Sequence, residues 1–132
     1  MNFFIRKKST LPILRIPITE KVMEYYNITE EMFENVAITF SMVNAETGFF
    51  RIANVAADLE VVDERIERAY VGKPKHNLVY KFKKRETNEV GYFIGEFVID
   101  FLGENGCGKI KFPINEDLQI IISDSITKTT VI

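Results

Sequence analysis

Residues 91–102, Gly91-Tyr92-Phe93-Ile94-Gly95-Glu96-Phe97-Val98-Ile99-Asp100-Phe101-Leu102, decide the fold. Successive side chains of an extended chain point to opposite faces. Phe93, Phe97, Ile99 and Phe101 therefore share one face, and Tyr92, Glu96 and Asp100 share the other. An alternation this long predicts a principal strand with one face in a core and the other in water.

The same pattern repeats on both sides of this stretch. Downstream, Gly103-Glu104-Asn105-Gly106-Cys107-Gly108 predicts a glycine-rich turn. Lys109–Ile114 then groups Ile110, Phe112 and Ile114, and Leu118, Ile120 and Ile122 make a last core strand. Upstream, Asn77–Lys83 turns Leu78, Tyr80 and Phe82 inward and Val79 and Lys81 outward, before a polar turn over 84–90. Val36–Asn44 groups Ile38, Phe40 and Met42. The turn residues Asn44-Ala45-Glu46-Thr47-Gly48 follow, and Phe49-Phe50-Arg51-Ile52 resumes a strand, so the pair predicts a hairpin. Ala57–Val62 is a further strand carrying Leu59 and Val61 together, and 63–76 is a charged loop around Gly72, Lys73 and Pro74.

Near the N-terminus, Leu14, Ile16 and Ile18 share a face opposite Arg15 and Pro17. Pro12 and Pro17 cannot donate to a ladder, which predicts an edge strand. Helix is confined to 19–35. Thr19 caps one short turn, and Thr29 opens another with Glu30 and Glu31 near its start. The expectation is an all-β antiparallel sandwich of about seven or eight short strands with one or two short helical turns. A closed barrel is the alternative. The sandwich occupies 11–126, with an N-terminal arm at 1–10 and a C-terminal tail at 127–132.

The chain's 132 residues are one domain's worth, and 46% hydrophobic with 27% charged residues argues for a folded core. Eleven Phe and five Tyr without Trp predict a core rich in rings. A net charge of −2 gives no global case for nucleic acid or an anionic membrane. Cys107 is the single cysteine, which excludes an intrachain disulfide and a thiolate metal cluster and suits a reducing cytosol. The apolar tip Phe3-Phe4-Ile5 precedes Arg6, Lys7 and Lys8, the reverse of a secretory signal, and no run approaches membrane-spanning length.

No catalytic, cofactor or metal site emerges. Gly103, Gly106 and Gly108 lead into a strand pattern at Lys109, whereas a phosphate cradle opens a helix. Cys107 has only His76 as a conceivable base, across a loop where that histidine is expected to be exposed. Asp58, Glu60, Asp63, Glu64 and Glu67 lack the order of a calcium loop, and Arg65 and Arg68 interleave with them. Glu96 and Asp100 stand about 13 Å apart along a strand, too far for paired carboxylate chemistry. Lys81, Lys83, Lys84 and Arg85 surround Tyr80 and Phe82, but the rings alternate inward and the bases outward.

One resemblance is more specific. Val36-Ala37-Ile38-Thr39-Phe40-Ser41-Met42-Val43 with its turn resembles the opening strands of phage baseplate upper protein N-terminal domains. Leu78-Val79-Tyr80-Lys81-Phe82, Thr87 and Gly91-Tyr92-Phe93-Ile94-Gly95-Glu96-Phe97 resemble that family's segment leading through Gly-Tyr into a long strand. Pro113 and Leu118-Gln119-Ile120-Ile121-Ile122 then correspond to its closing strand. The resemblance covers roughly 36–126 and implies an immunoglobulin-like sandwich. It also implies a non-enzymatic bacteriophage virion component: a tail, baseplate or capsid-associated adaptor, present in several copies, that contacts other virion proteins after synthesis in the host cytoplasm. The family's proteins often continue into coiled-coil or receptor-linking regions, whereas this sequence ends at Ile132. Phe3, Phe4, Ile5, Arg6, Lys7 and Lys8 would then be a partner-binding arm that adds to a neighbour's sheet edge. The alternative function is a carbohydrate- or peptide-binding sandwich. The absence of Trp, with Tyr25, Tyr26 and Tyr70 in loops or helical turns, disfavours it.

Overall fold

The computed structural model describes residues 1–62, 74–102 and 108–124, with backbone alone at 74 and 75. Nine strands are described: β1 (Asn2–Arg6), β2 (Leu14–Thr19), β3 (Val36–Asn44), β4 (Phe50–Ala56), β5 (Asp58–Val61), β6 (Pro74–Tyr80), β7 (Gly91–Phe101), β8 (Gly108–Phe112) and β9 (Leu118–Ser123). One short helix, α1 (Glu20–Tyr25), and 3-10 turns at Glu30–Glu34 and Lys84–Glu86 complete the set. The 91–102 alternation is realised as β7, and the helical pieces fall where Thr19 and Thr29 predict them. Thr19 Oγ1 accepts from the Val22 N–H at 3.3 Å, closing the first turn of α1.

Two sheets form the sandwich. The larger runs β1-β9-β7-β3-β4, and β8 also pairs with β7. β7 organises it: β3 covers one of its edges from Phe93 to Phe101. The other edge is shared, with β9 opposite Gly91–Gly95 and β8 opposite Phe97–Phe101. β8 and β9 are thus two halves of one return strand, interrupted by 113–117 opposite Glu96. The smaller sheet, β2-β6-β5, places the proline-bearing β2 at an edge as expected.

The inner faces make one core. Phe40 stacks on Tyr80 at 4.5 Å, lies 4.8 Å from Phe97 and receives the edge of Phe82 at 5.9 Å, so one ring of β3 ties the two sheets together. Gly95 makes this possible. A Cβ there would stand 2.7 Å from Ile120 Cδ1 and 3.0 Å from the Phe40 ring. The bare backbone lets β3 and β9 side chains meet over β7.

Four local expectations change. The N-terminal segment does not stand apart from the core as an arm: Asn2–Arg6 is strand β1, paired in parallel with β9 from Asn2↔Gln119 to Arg6↔Ser123. Ile5 is buried there, and the free edge of β9 supplies backbone partners that a detached arm would lack. His76 is not an exposed loop residue. It sits on β6, 5% exposed, because the strand begins at Pro74. Val79, expected outward, is buried between the register neighbours Arg15 and Asp58. Val61 is exposed at the end of edge strand β5, while Leu59 packs on the core. The 63–73 part of the charged loop, the turn holding Cys107, and the tail at 127–132 lie outside the described residues.

Candidate interaction surface

The outward positions of the larger sheet bring apolar residues from five strands into one band. In register across the sheet, Phe4 on β1 faces Ile121 on β9, which faces Tyr92 on β7. Two residues further along β7, Ile94 faces Val43 on β3, which faces Phe50 on β4. Since i and i+2 share a face, the two rows join at Tyr92 and Ile94 and run from one sheet edge to the other. Phe4, Tyr92 and Phe50 are 61, 63 and 65% exposed; Ile94 is exposed, and Ile121 and Val43 are partly covered.

Local structure holds the band in place. Asn44 Oδ1 accepts from the N–H groups of Glu46 and Thr47 at 2.8 and 3.1 Å, and Gly48 takes φ +75°, which a side chain would strain. This turn presents Phe49 and Phe50, and the Ala45 N–H donates to the Tyr92 carbonyl at 2.9 Å, tying the hairpin to β7. Beyond the band the same face is polar. Ser41 Oγ and the Asn54 side chain are 3.2 Å apart, and Lys109 Nζ approaches Asp100 Oδ2 at 4.0 Å. Glu96 and Asp100 thus belong to the outward face, Asp100 beside a lysine.

The six residues expected to form the arm divide. Ile5 enters the protein's own core, and Phe3 stacks on Phe82 at 5.8 Å. Phe4 joins the outer band. Arg6 Nη1 donates to the Asp124 carbonyl at 2.7 Å, while the backbone N–H groups of Lys7 and Lys8 donate to the carbonyls of Ser123 and Thr87 at 2.8 and 2.9 Å. Lys81, Lys83, Lys84 and Arg85 are exposed while Tyr80 and Phe82 are buried, so rings and bases face opposite ways.

Three buried polar side chains, His76, Glu86 and Thr87, are each bonded within the protein. Tyr80 donates to Glu86 Oε2 at 2.7 Å, and the Lys83 N–H donates to Glu86 Oε1 at 2.8 Å. Burial, reinforced by this carboxylate, pushes the Tyr80 phenol well above its usual range. Thr87 Oγ1 donates to the Ser9 carbonyl at 2.9 Å and so anchors the chain after β1. His76 Nε2 lies 2.8 Å from Glu30 Oε2 with its ring 4.4 Å from Phe33, fastening the 3-10 turn to β6. Among the described residues its Nδ1 has no hydrogen-bond partner. Glu60 is bonded by Asn77 Nδ2 at 3.1 Å and Arg15 Nε at 3.2 Å, which together hold its carboxyl below the usual range. Among the described residues, no three His, Cys, Asp or Glu side chains gather as a metal site needs, and no helix is long and apolar enough to cross a membrane.

Comparison with known proteins returns no match among family models, curated proteins or solved structures.

Proposed function

We propose that this chain is a non-enzymatic interaction module of a bacteriophage particle, an adaptor of the tail, baseplate or capsid. It docks on neighbouring structural proteins through the outer face of its larger sheet. The observation that carries this reading is the band Phe4-Ile121-Tyr92 with Ile94-Val43-Phe50. Water-exposed apolar surface is worth roughly 25 cal/mol per Å² when a partner covers it. Aromatic side chains rimmed by polar ones are the usual anchors of such interfaces. The virion setting rests on the resemblance of 36–126 to baseplate upper protein N-terminal domains. In that setting the chain is made in the host cytoplasm and held in the particle in several copies.

The test is particle composition. Particles are purified from a host producing the wild-type chain or a Tyr92→Ser, Ile94→Ser variant, and their proteins are quantified by mass spectrometry. The wild type is expected in the particles, and the variant is expected to remain folded in the lysate and missing from them. A wild-type chain absent from particles overturns the virion setting. A variant retained at wild-type level overturns the outer face as the docking surface.

A further inference from the structure

A groove on the flank of the sandwich, separate from the outer band, carries a different chemistry. It lies between α1 and the residues joining β8 to β9, and encloses about 580 Å³. α1 is firmly held. Its N-terminus is capped by Thr19, Met23 is buried, and the Ile28 N–H donates to the Met23 carbonyl at 2.8 Å. Tyr25 and Tyr26 do fall at a helical turn, the placement that by sequence counts against a sugar platform, but this turn is fixed and holds both rings in place. Their rings meet edge to face with centroids 5.0 Å apart, and Tyr25 is 79% exposed. Val22 and Ile114 supply an apolar base, and Lys21 and Asn115 stand on the rims.

Of the polar side chains around this groove, Thr19 is engaged in capping α1. Among the described residues, the Lys21 ammonium, the Asn115 amide and both phenol hydroxyls make no hydrogen bond or ion pair. Rigid aromatic faces beside unengaged donors and acceptors, in a volume of about 300–1,000 Å³, describe a small-ligand site. Among the described lining residues there is one lysine and no arginine fork, a poor cradle for phosphate or carboxylate. A pyranose matches better: it has an apolar C–H face for a ring and a hydroxyl edge for polar side chains.

We propose that this groove is a saccharide-binding subsite, in which a neutral sugar ring rests on Tyr25 and bonds through its hydroxyls to Asn115 and Lys21. The site is independent of the outer band, whose variants serve as its control.

The intact chain is applied to an array of defined neutral and acidic oligosaccharides. The best neutral glycan is then titrated while tyrosine fluorescence is followed, a signal that no tryptophan masks. Retention of a neutral glycan is expected, weakened about tenfold or more by Tyr25→Ala and by a smaller factor by Asn115→Ala. Tyr92→Ser should bind as wild type. No retention of any neutral glycan overturns the proposal, and so does binding that survives Tyr25→Ala and Asn115→Ala unchanged.

Discussion

Tyr92 and Phe93 are neighbours in the chain and have opposite surroundings. Phe93 is enclosed between the sheets, whereas Tyr92 lies open on the outer face of the same strand. The contrast extends over the whole larger sheet. Phe97, Ile120 and Met42 point inward and are fully buried, while Ile94 and Phe50 point outward and are exposed. Both faces are apolar at this end, but the smaller sheet covers only one. Burying an inner side chain contributes about 1.5–3 kcal/mol to folding. The outer band contributes little to the isolated chain, and its favourable burial is left for a partner.

Inner-face truncation should give the largest effect. Phe97→Ala removes a ring packed 4.8 Å from Phe40 and should cost roughly 3–5 kcal/mol in chemical denaturation. A loss below 1 kcal/mol would mean that the inner face is no better packed than the outer. The contrast is sharpest within β1, where consecutive residues face opposite ways. Ile5→Ala should cost about 2–4 kcal/mol. Phe4→Ser should change stability by no more than about 0.5 kcal/mol while weakening partner association. Equal destabilisation by the two would remove β1 from the sheet edge and restore a free arm.

A polar prediction of intermediate size concerns Tyr80. Tyr80→Phe leaves a buried Glu86 oxygen without its donor and should cost roughly 1–3 kcal/mol at neutral pH. The phenol's pKa is raised on folding, so the neutral form is the one the fold favours. Its contribution is complete below the ordinary tyrosine value and is lost as pH rises above that toward the folded value. Wild-type stability should therefore fall in strong alkali, and Tyr80→Phe should flatten that fall.

The smallest effect belongs to the exposed pair on the small sheet. Glu60→Gln weakens contacts to Asn77 and Arg15 and should cost less than about 1 kcal/mol, since Glu60 and Arg15 are both exposed to water and Asn77 is only half-buried. The Glu60 carboxyl is lowered on folding. Its contribution is thus present above the ordinary glutamate value and lost as pH falls through the lowered one. Denaturation of the two proteins at neutral and strongly acid pH should show a difference only at neutral pH.

The inward faces were readable because alternation is a property of each strand alone. Ile38/Phe40/Met42, Leu78/Tyr80/Phe82, Phe93/Phe97/Ile99/Phe101 and Leu118/Ile120/Ile122 are buried as groups. The Thr19 cap and the hairpin after Asn44 were readable for the same reason, since their hydrogen bonds close within a few residues. Residues 1–6 were not. Phe3-Phe4-Ile5 reads equally well as an arm or a strand, and the choice depended on the vacant edge of β9, more than a hundred residues away in the chain.

The outer band was invisible to the sequence for a related reason. Tyr92, Phe4 and Phe50 each look like a single exposed ring, and only strand order and register set them side by side. The groove at Tyr25 and Tyr26 likewise needed the 113–117 interruption to be placed against α1. Local chemistry therefore settled which way the principal core strands face, because covalent geometry imposes that alternation. Tertiary structure decided which strands are neighbours, and with it both candidate surfaces, because pairing depends on edges and registers formed by residues remote in sequence.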